Sequence, residues 1–278
     1  MIVPVQCDEA LLADIEASRR LPEQAHLWWL GQSGFLLQWR GQHLLFDPYL
    51  SDSLTRKYAQ TDKPHVRMTQ RVVAPEQLAF VDVVTSSHRH TDHLDSDSLL
   101  PLWRRHSGLR VVVPAADLAF AAERLSVDAA RLDAIDVGQQ VEVGPFTIHA
   151  VPAAHEALER DDLGQYRYLG YVVEFGGRVV YHSGDTVRYD GMVACLRRWA
   201  IDVALLPING RLAERRVAGN LWGREAAQLA RDIGAQVVIP CHYEMFEFNT
   251  VPPDEFVAAA EEQGQAFRVL RAGERYSW

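Results

Sequence analysis

The chain has 278 residues, 48% hydrophobic and 23% charged, enough to bury a large core. Its 28 basic and 37 acidic residues leave a formal net charge of -9, which repels a nucleic-acid backbone or an anionic membrane surface and argues against either as a partner. No uncharged apolar stretch is long enough to span a bilayer, the start MIVPVQCDEALLADIEASRR has no leader pattern, and Cys7, Cys195 and Cys241 are odd in number and far apart, so a soluble cytoplasmic protein without a disulfide framework is predicted.

Helical spacing opens at residues 8–20, with Asp8 as a cap or first-turn acid. Apolar runs bounded by Gly, Pro, Asp or Asn then predict strands at 26–30, 34–39, 42–46, 81–86 and 110–113, the second and third forming a hairpin in LLQWRGQHLLF. A helix follows at 116–125, then strands at 146–151, 170–175 and 178–182, with a second hairpin in YVVEFGGRVVY. The rest alternates: helix 191–199, strand 202–206, helix 223–234, strand 236–240, helix 254–263. No repeat, low-complexity tract or linker divides residues 1–278, so a single domain is expected. Strands first and then mixed elements, twice over, fit two sheets packed face to face with helices outside; periodicity alone leaves a doubly wound sheet open.

The stretch SSHRHTDHLD begins where the predicted strand 81–86 stops. In an extended segment His88 and His90 point the same way, and two imidazoles converging on one point begin a metal site. Asp92 and His93 follow in the loop and can turn toward a second ion. His155 comes just after another strand end, whereas His149 lies inside that strand and reads as a hydrogen-bonded core residue. Asp185 follows a strand and a Ser-Gly turn, where it is either a bridging metal carboxylate or a helix N-cap. His242 closes the strand QVVIPC. Seven donors suit two adjacent ions: His88, His90 and His155 for one, Asp92, His93 and His242 for the other, Asp185 for both. Imidazole and carboxylate without thiolate suits zinc, manganese or iron. Cys241 alternates to the side opposite His242 and reads as core, as do Trp28 and Trp29 with the rim.

His88-x-His90-x-Asp92-His93, a downstream His, Gly184-Asp185-Thr186 and a late His resemble the metal-ligand signature of the metallo-β-lactamase superfamily, over roughly residues 27 to 242. The resemblance implies an α/β fold, an αββα sandwich of two mixed sheets with the metals at one edge. WWLG, VVYHSGD, IDVAL and VVIPCHYEMF look closer to the ascorbate-6-phosphate lactonase group. That group's pattern has an aspartate where His155 stands, which leaves the lactone open.

Two close divalent ions hold hydroxide near neutral pH and polarise the bond under attack, so no side-chain nucleophile is required. Asp92 or Asp185 is the expected catalytic carboxylate that orients it. For a small anionic substrate, Arg211, beside the Asn209-Gly210 turn, is the first choice for bidentate contact, with Asn209 and Arg188 next; each arginine is alternatively a solvated surface group. His182 reads as either a partner orienting a ligand from behind or a core histidine. Asp47 reads as the acceptor of a ligand histidine's other N–H or as a turn-starting aspartate. The expected activity is a metal-dependent hydrolase of a small anionic lactone or ester. The alternatives are a phosphodiesterase of the N-acyl phospholipid-cleaving type and, from another class, a non-catalytic metal-binding sensor or scaffold. A homo-oligomer is compatible with the sequence.

Overall fold

The computed structural model describes residues 1–278 as thirteen strands and seven α-helices with short 3-10 turns. The first sheet is built from β1 (His26–Gly31), β2 (Gly34–Trp39), β3 (Gln42–Phe46), β4 (Val83–Thr85), β5 (Arg110–Pro114) and β6 (Asp133–Ile135). The second comprises β7 (Gln140–Val143), β8 (Phe146–Pro152), β9 (Leu169–Phe175), β10 (Arg178–His182), β11 (Val203–Pro207) and β12 (Val237–Cys241), and β13 (Arg275–Ser277) returns to pair with β1 at the edge of the first sheet. Each sheet is mixed: β1, β2 and β3 run antiparallel and β3, β4, β5 and β6 parallel, while β7, β8, β9 and β10 run antiparallel and β10, β11 and β12 parallel. The helices are α1 (Asp8–Ser18), α2 (Ser53–Tyr58), α3 (Ser96–Arg105), α4 (Leu118–Leu125), α5 (Met192–Leu196), α6 (Gly223–Ile233) and α7 (Asp254–Gln263).

The period-2 geometry of strands explains why HLWWLG is buried throughout. Leu27 and Trp29 face the core shared with the second sheet, with Phe35, Val172 and Leu205. Trp28 and Leu30 face the other way, under Leu11 and Ile15 of α1, Leu99 of α3 and Leu125 of α4. Residues of α6 and α7, such as Ala226, Leu229, Phe256 and Ala260, join the first of these clusters. Strands buried on both faces need continuous apolar runs, and these are the runs the sequence shows.

The ten predicted strands are all present, and β6, β7 and β13 are additional. The sequence reading also lacked α2 and α3. Helix α3 contains Pro101, which reads as a breaker, yet Asp95 caps the helix by accepting from the Asp97 backbone N–H. The five predicted helices all form, the last within the same bounds and the other four shorter. All three cysteines are free, and no helix is long and apolar enough to cross a membrane.

His43 on β3 is fully buried, accepts from Gln38 Nε2 at 3.1 Å and meets the edge of Phe80. Burial pushes its imidazole down to about 3, from 6.5. Between those values the unfolded chain takes up a proton that the folded chain refuses, so stability falls with pH below 6.5. Taking the unfolding free energy from pH 7.5 to 5.5 is expected to cost about 1.4 kcal/mol more in the wild type than in a His43→Asn variant, measured by urea titration.

Candidate metal centre

Five strand ends converge on one edge of the sandwich. His88 follows β4, His155 follows β8, Asp185 follows β10, His242 follows β12, and Asp47 follows β3. The loop after β4 also delivers His90, Asp92 and His93. Donor atoms form three groups, each with its atoms within 4.8 Å of one another: His88 with His90 and His155, His88 with His93 and Asp185, and Asp92 with His93 and His242. Asp185 Oδ2 lies 3.3 Å from His93 Nε2, 3.3 Å from His242 Nε2 and 3.6 Å from His155 Nε2, which places it between the first and last groups. The structure thus brings all seven predicted donors together; two of the three groups coincide with the trios expected from the sequence, and the third, His88 with His93 and Asp185, cuts across them.

Of the ring nitrogens facing away from the centre, those of His93 and His155 are tied down, whereas His242 Nδ1 is buried without a partner. His93 Nδ1 lies 2.6 Å from Asp47 Oδ2, and His155 Nδ1 lies 2.9 Å from the Gly219 carbonyl. Each such partner accepts a hydrogen bond from Nδ1–H and so leaves the Nε2 lone pair aimed inward. Asp47 also accepts from Ser87, through the backbone N–H at 2.9 Å and through the hydroxyl, and that hydroxyl lies 3.0 Å from His88 Nδ1. The turn-starting aspartate of the sequence reading therefore organises two histidines at once.

Backbone strain concentrates here. Gln32, Asp47 and His242 are non-glycine residues with φ of 51°, 36° and 63°. Such positions cost about 1–3 kcal/mol each and persist only where the surroundings over-determine them. Gly184, at φ 59°, has no such cost, and a Cβ there would lie 2.6 Å from Ser87 Cβ and 2.7 Å from the Leu169 carbonyl oxygen. Only glycine lets Asp185 approach the loop after β4.

Electrostatics favour positive charge at the centre. Burial, with His93 and His90 beside it, holds His88 far below its usual range, and burial lowers His90 to about 4, so both rings offer lone pairs. Burial opposes charge on Asp92 and Asp185, yet the neighbouring imidazoles hold both carboxyls below the ordinary carboxylate range. Burial likewise opposes charge on His242, but Asp185 raises it to about 9. Asp185 Oδ1 and His93 Nε2 are buried without hydrogen-bond partners. Two carboxylates, the neutral rings of His88 and His90 and the unpartnered Asp185 Oδ1 and His93 Nε2 fit divalent cations, and Cys241 is buried in the inter-sheet core.

A family model described as a beta-lactamase superfamily domain matches residues 42–243. A "UPF0173 metal-dependent hydrolase" of Opitutus terrae is 32% identical over 252 residues, 89% of this chain and 97% of that protein. The chain belongs to the β-lactamase superfamily. It stands among that superfamily's metal-dependent hydrolases. Another such hydrolase, from Methanopyrus kandleri, is 29% identical over 89% of this chain and 97% of its own length. Among solved structures, an isothiocyanate hydrolase from Delia radicum gut bacteria superposes with TM-score 0.72 at 19% identity, covering 91% of this chain and 98% of that one. A metallo hydrolase from Ignicoccus hospitalis superposes with TM-score 0.67 at 23% identity, covering 92% and 98%. These structural likenesses establish the fold, which is the two-sheet β-lactamase architecture the sequence predicted.

In this superfamily member the donors open into a cleft of about 470 Å³, lined by His90, Asp92, His155, Asp185 and His242 at the centre. Three substrate contacts expected from the sequence lie elsewhere. Arg211 forms a bidentate pair with Glu225 at 2.6 and 2.7 Å and donates to the Asn220 carbonyl, so its guanidinium is taken up by α6. Arg188 pairs with Asp232 at 2.5 Å. Asn209 is fully buried behind the cleft, donating to Asn249 and accepting from Asn220, two residues that do line it. His182 hydrogen-bonds the Ser33 carbonyl at 2.9 Å and stacks on Phe46, with no hydrogen bond to any of the seven donors; it is a core histidine. His149 is half-buried and pairs across the sheet with Glu174 at 2.7 Å rather than sitting in the core. Truncating Arg211 to alanine is therefore expected to leave KM unchanged for anionic and neutral substrates alike and to lower stability by about 1 kcal/mol or less, read from kinetics and urea unfolding.

One site residue was absent from the sequence reading. Gln32, in the turn between β1 and β2, donates through Nε2 to Asp92 Oδ2 at 2.8 Å and lies 3.1 Å from His242 Nε2. Its own carbonyl accepts from the His242 backbone N–H. A polar residue between Gly31 and Ser33, in a segment otherwise apolar, was the available signal.

Proposed function

We propose that this metal-dependent hydrolase cleaves a small anionic ester or lactone by attack of water, using two divalent ions of the zinc, manganese or iron type. The observation that carries this reading is the convergence of the seven donors with Asp185 Oδ2 within 3.6 Å of three imidazoles. His88, His90 and His155 would hold one ion, Asp92, His93 and His242 the other, and Asp185 both. When bound, such ions supply Lewis acidity and lower the pKa of water.

The chain's own residues do the rest. Asp92 and Asp185 are the only carboxylates lining the cleft, so the proton of an attacking water passes to one of them. Gln32 fixes Asp92 from behind. Of the two, the Asp92 side chain is the more open, at 17% exposure against 4%, and it is the one that can exchange that proton with solvent. The buried imidazoles around Asp185 exclude bulk water from its other side.

Metal analysis and chelation test the reading. Two ions per chain are expected, with ester hydrolysis lost on chelation and restored by adding back zinc or manganese. Hydrolysis that survives complete removal of metal overturns it.

A further inference from the structure

The cleft lining carries two patches of different chemistry, neither of which the donors use. The first is basic. Arg89, between the donors His88 and His90, is exposed and has no carboxylate partner, and its guanidinium carbon lies 5.7 Å from the ring of Phe120. Arg124 lies over the same ring at 4.5 Å, and its Nη1 is held by the carbonyls of Arg89 and Leu94 at 2.7 and 3.2 Å. Behind them Asp117 is 2% exposed and feels the charge of Arg89 and Arg124, yet neither of its oxygens has a hydrogen-bond partner. The counter-charge is present without occupying the guanidinium N–H groups, so those of Arg89 and the ones of Arg124 other than Nη1 stay free to bind a ligand. In a chain of formal charge -9, a lining in which Lys57, Arg89 and Arg124 have no carboxylate partner, Arg216 is paired with Asp62 and the only carboxylates are Asp92 and Asp185 is a local reversal.

The second patch is aromatic. Tyr58 stacks on His65 at 4.2 Å between ring centroids, and Phe246 meets the edge of His65 at 5.1 Å. All three rings line the cleft, together with Leu54. Flat apolar faces at this spacing accept another planar group.

Resting on the hydrolase reading above, we infer that the substrate is bipartite, with a carboxylate or phosphate held by Arg89 and Arg124, a planar apolar group packed on Tyr58, His65 and Phe246, and the scissile bond between them at Asp92 and Asp185. A substrate carrying only one of these features fills only half of the lining.

The test uses small probes on the metal-loaded protein, by titration calorimetry. Hippurate carries both features, benzamide the aromatic one alone and N-acetylglycine the carboxylate alone. Hippurate is expected to bind at least about tenfold more tightly than either of the others. Arg89→Gln is expected to weaken hippurate and N-acetylglycine by about tenfold and to leave benzamide unchanged. Tyr58→Ala is expected to weaken hippurate and benzamide and to leave N-acetylglycine unchanged. Both side chains are outside the main core, and unchanged metal content and thermal midpoint confirm that each variant is folded. Equal affinities for the three probes, no binding of hippurate, or uniform losses in both variants overturn the two-patch assignment. Cleavage of O-benzoylglycolate is scored separately: selective binding without cleavage removes the ester reading and keeps the pocket, and cleavage without selectivity does the reverse.

Discussion

An Asp185→Asn variant is expected to lose about a thousandfold in kcat/KM while folding normally, and to bind fewer than two ions per chain. The size follows from how much converges on one atom. Asp185 Oδ2 lies 3.3 Å from two imidazoles and 3.6 Å from a third, and its other oxygen is buried without a partner. An amide of the same shape keeps the packing but removes the negative charge that draws cations to the shared position. It also turns one lone-pair face into an N–H donor pointing at groups that need an acceptor. Proton transfer by a placed carboxylate is worth about 10²–10⁴ in rate, and the loss of shared ligation adds to it. Metal content by elemental analysis, steady-state kinetics and the circular dichroism spectrum together check the expectation. A variant that keeps two ions and loses less than tenfold in rate removes Asp185 from the bridging position.

The contrast between Asp185 and Arg211 shows where sequence reasoning reaches and where it stops. Metal donors were legible because their chemistry constrains both residue type and place: His88, His155, Asp185 and His242 each follow a buried strand, and strand ends in a two-sheet sandwich meet at one edge. Sheet residues such as Leu27 and Trp29 were legible for a similar reason, since burial on both faces writes a continuous apolar run. Arg211 was chosen because a tight turn sits beside it, but a turn fixes where the backbone goes and leaves a long flexible side chain undecided. Glu225, fourteen residues later on α6, captures it. Arg89 carries no signal in the sequence, since an arginine between two histidines is as readily a solvated surface group; its exposure and lack of a carboxylate partner mark it only in the structure. Strands β6 and β13 are three residues each, too short for any period to declare itself, and Gln32 acts through a backbone conformation that no spacing announces.

The second large effect is expected at Asp47, which lines no cleft and touches no substrate. Asp47→Asn preserves volume, and Ser87 N–H can still bond to the amide oxygen. The facing group is what changes. His93 Nδ1–H donates to Asp47 Oδ2 at 2.6 Å, which leaves Nε2 as the lone pair on the side of Asp92 and Asp185. With an amide N–H₂ in that place, the ring accepts at Nδ1 and carries its proton on Nε2, in the direction of the ion. One donor of the second group is thereby blocked without being removed. Loss of a partner of this kind typically costs 10–100-fold in metal affinity, and the value here is expected near the upper end because Asp47 is fully buried and meets His93 directly at 2.6 Å, whereas it reaches His88 only through the Ser87 hydroxyl. Competition titration against a chromophoric chelator should show one of two ions weakened by about a hundredfold in Asp47→Asn and the other nearly unchanged. Excess metal should then restore much of the rate, because the side chain acts on affinity rather than on the reacting atoms. Equal weakening of both ions, or a rate that excess metal cannot recover, would show instead that Asp47 holds up the loop as a whole and not the tautomer of His93.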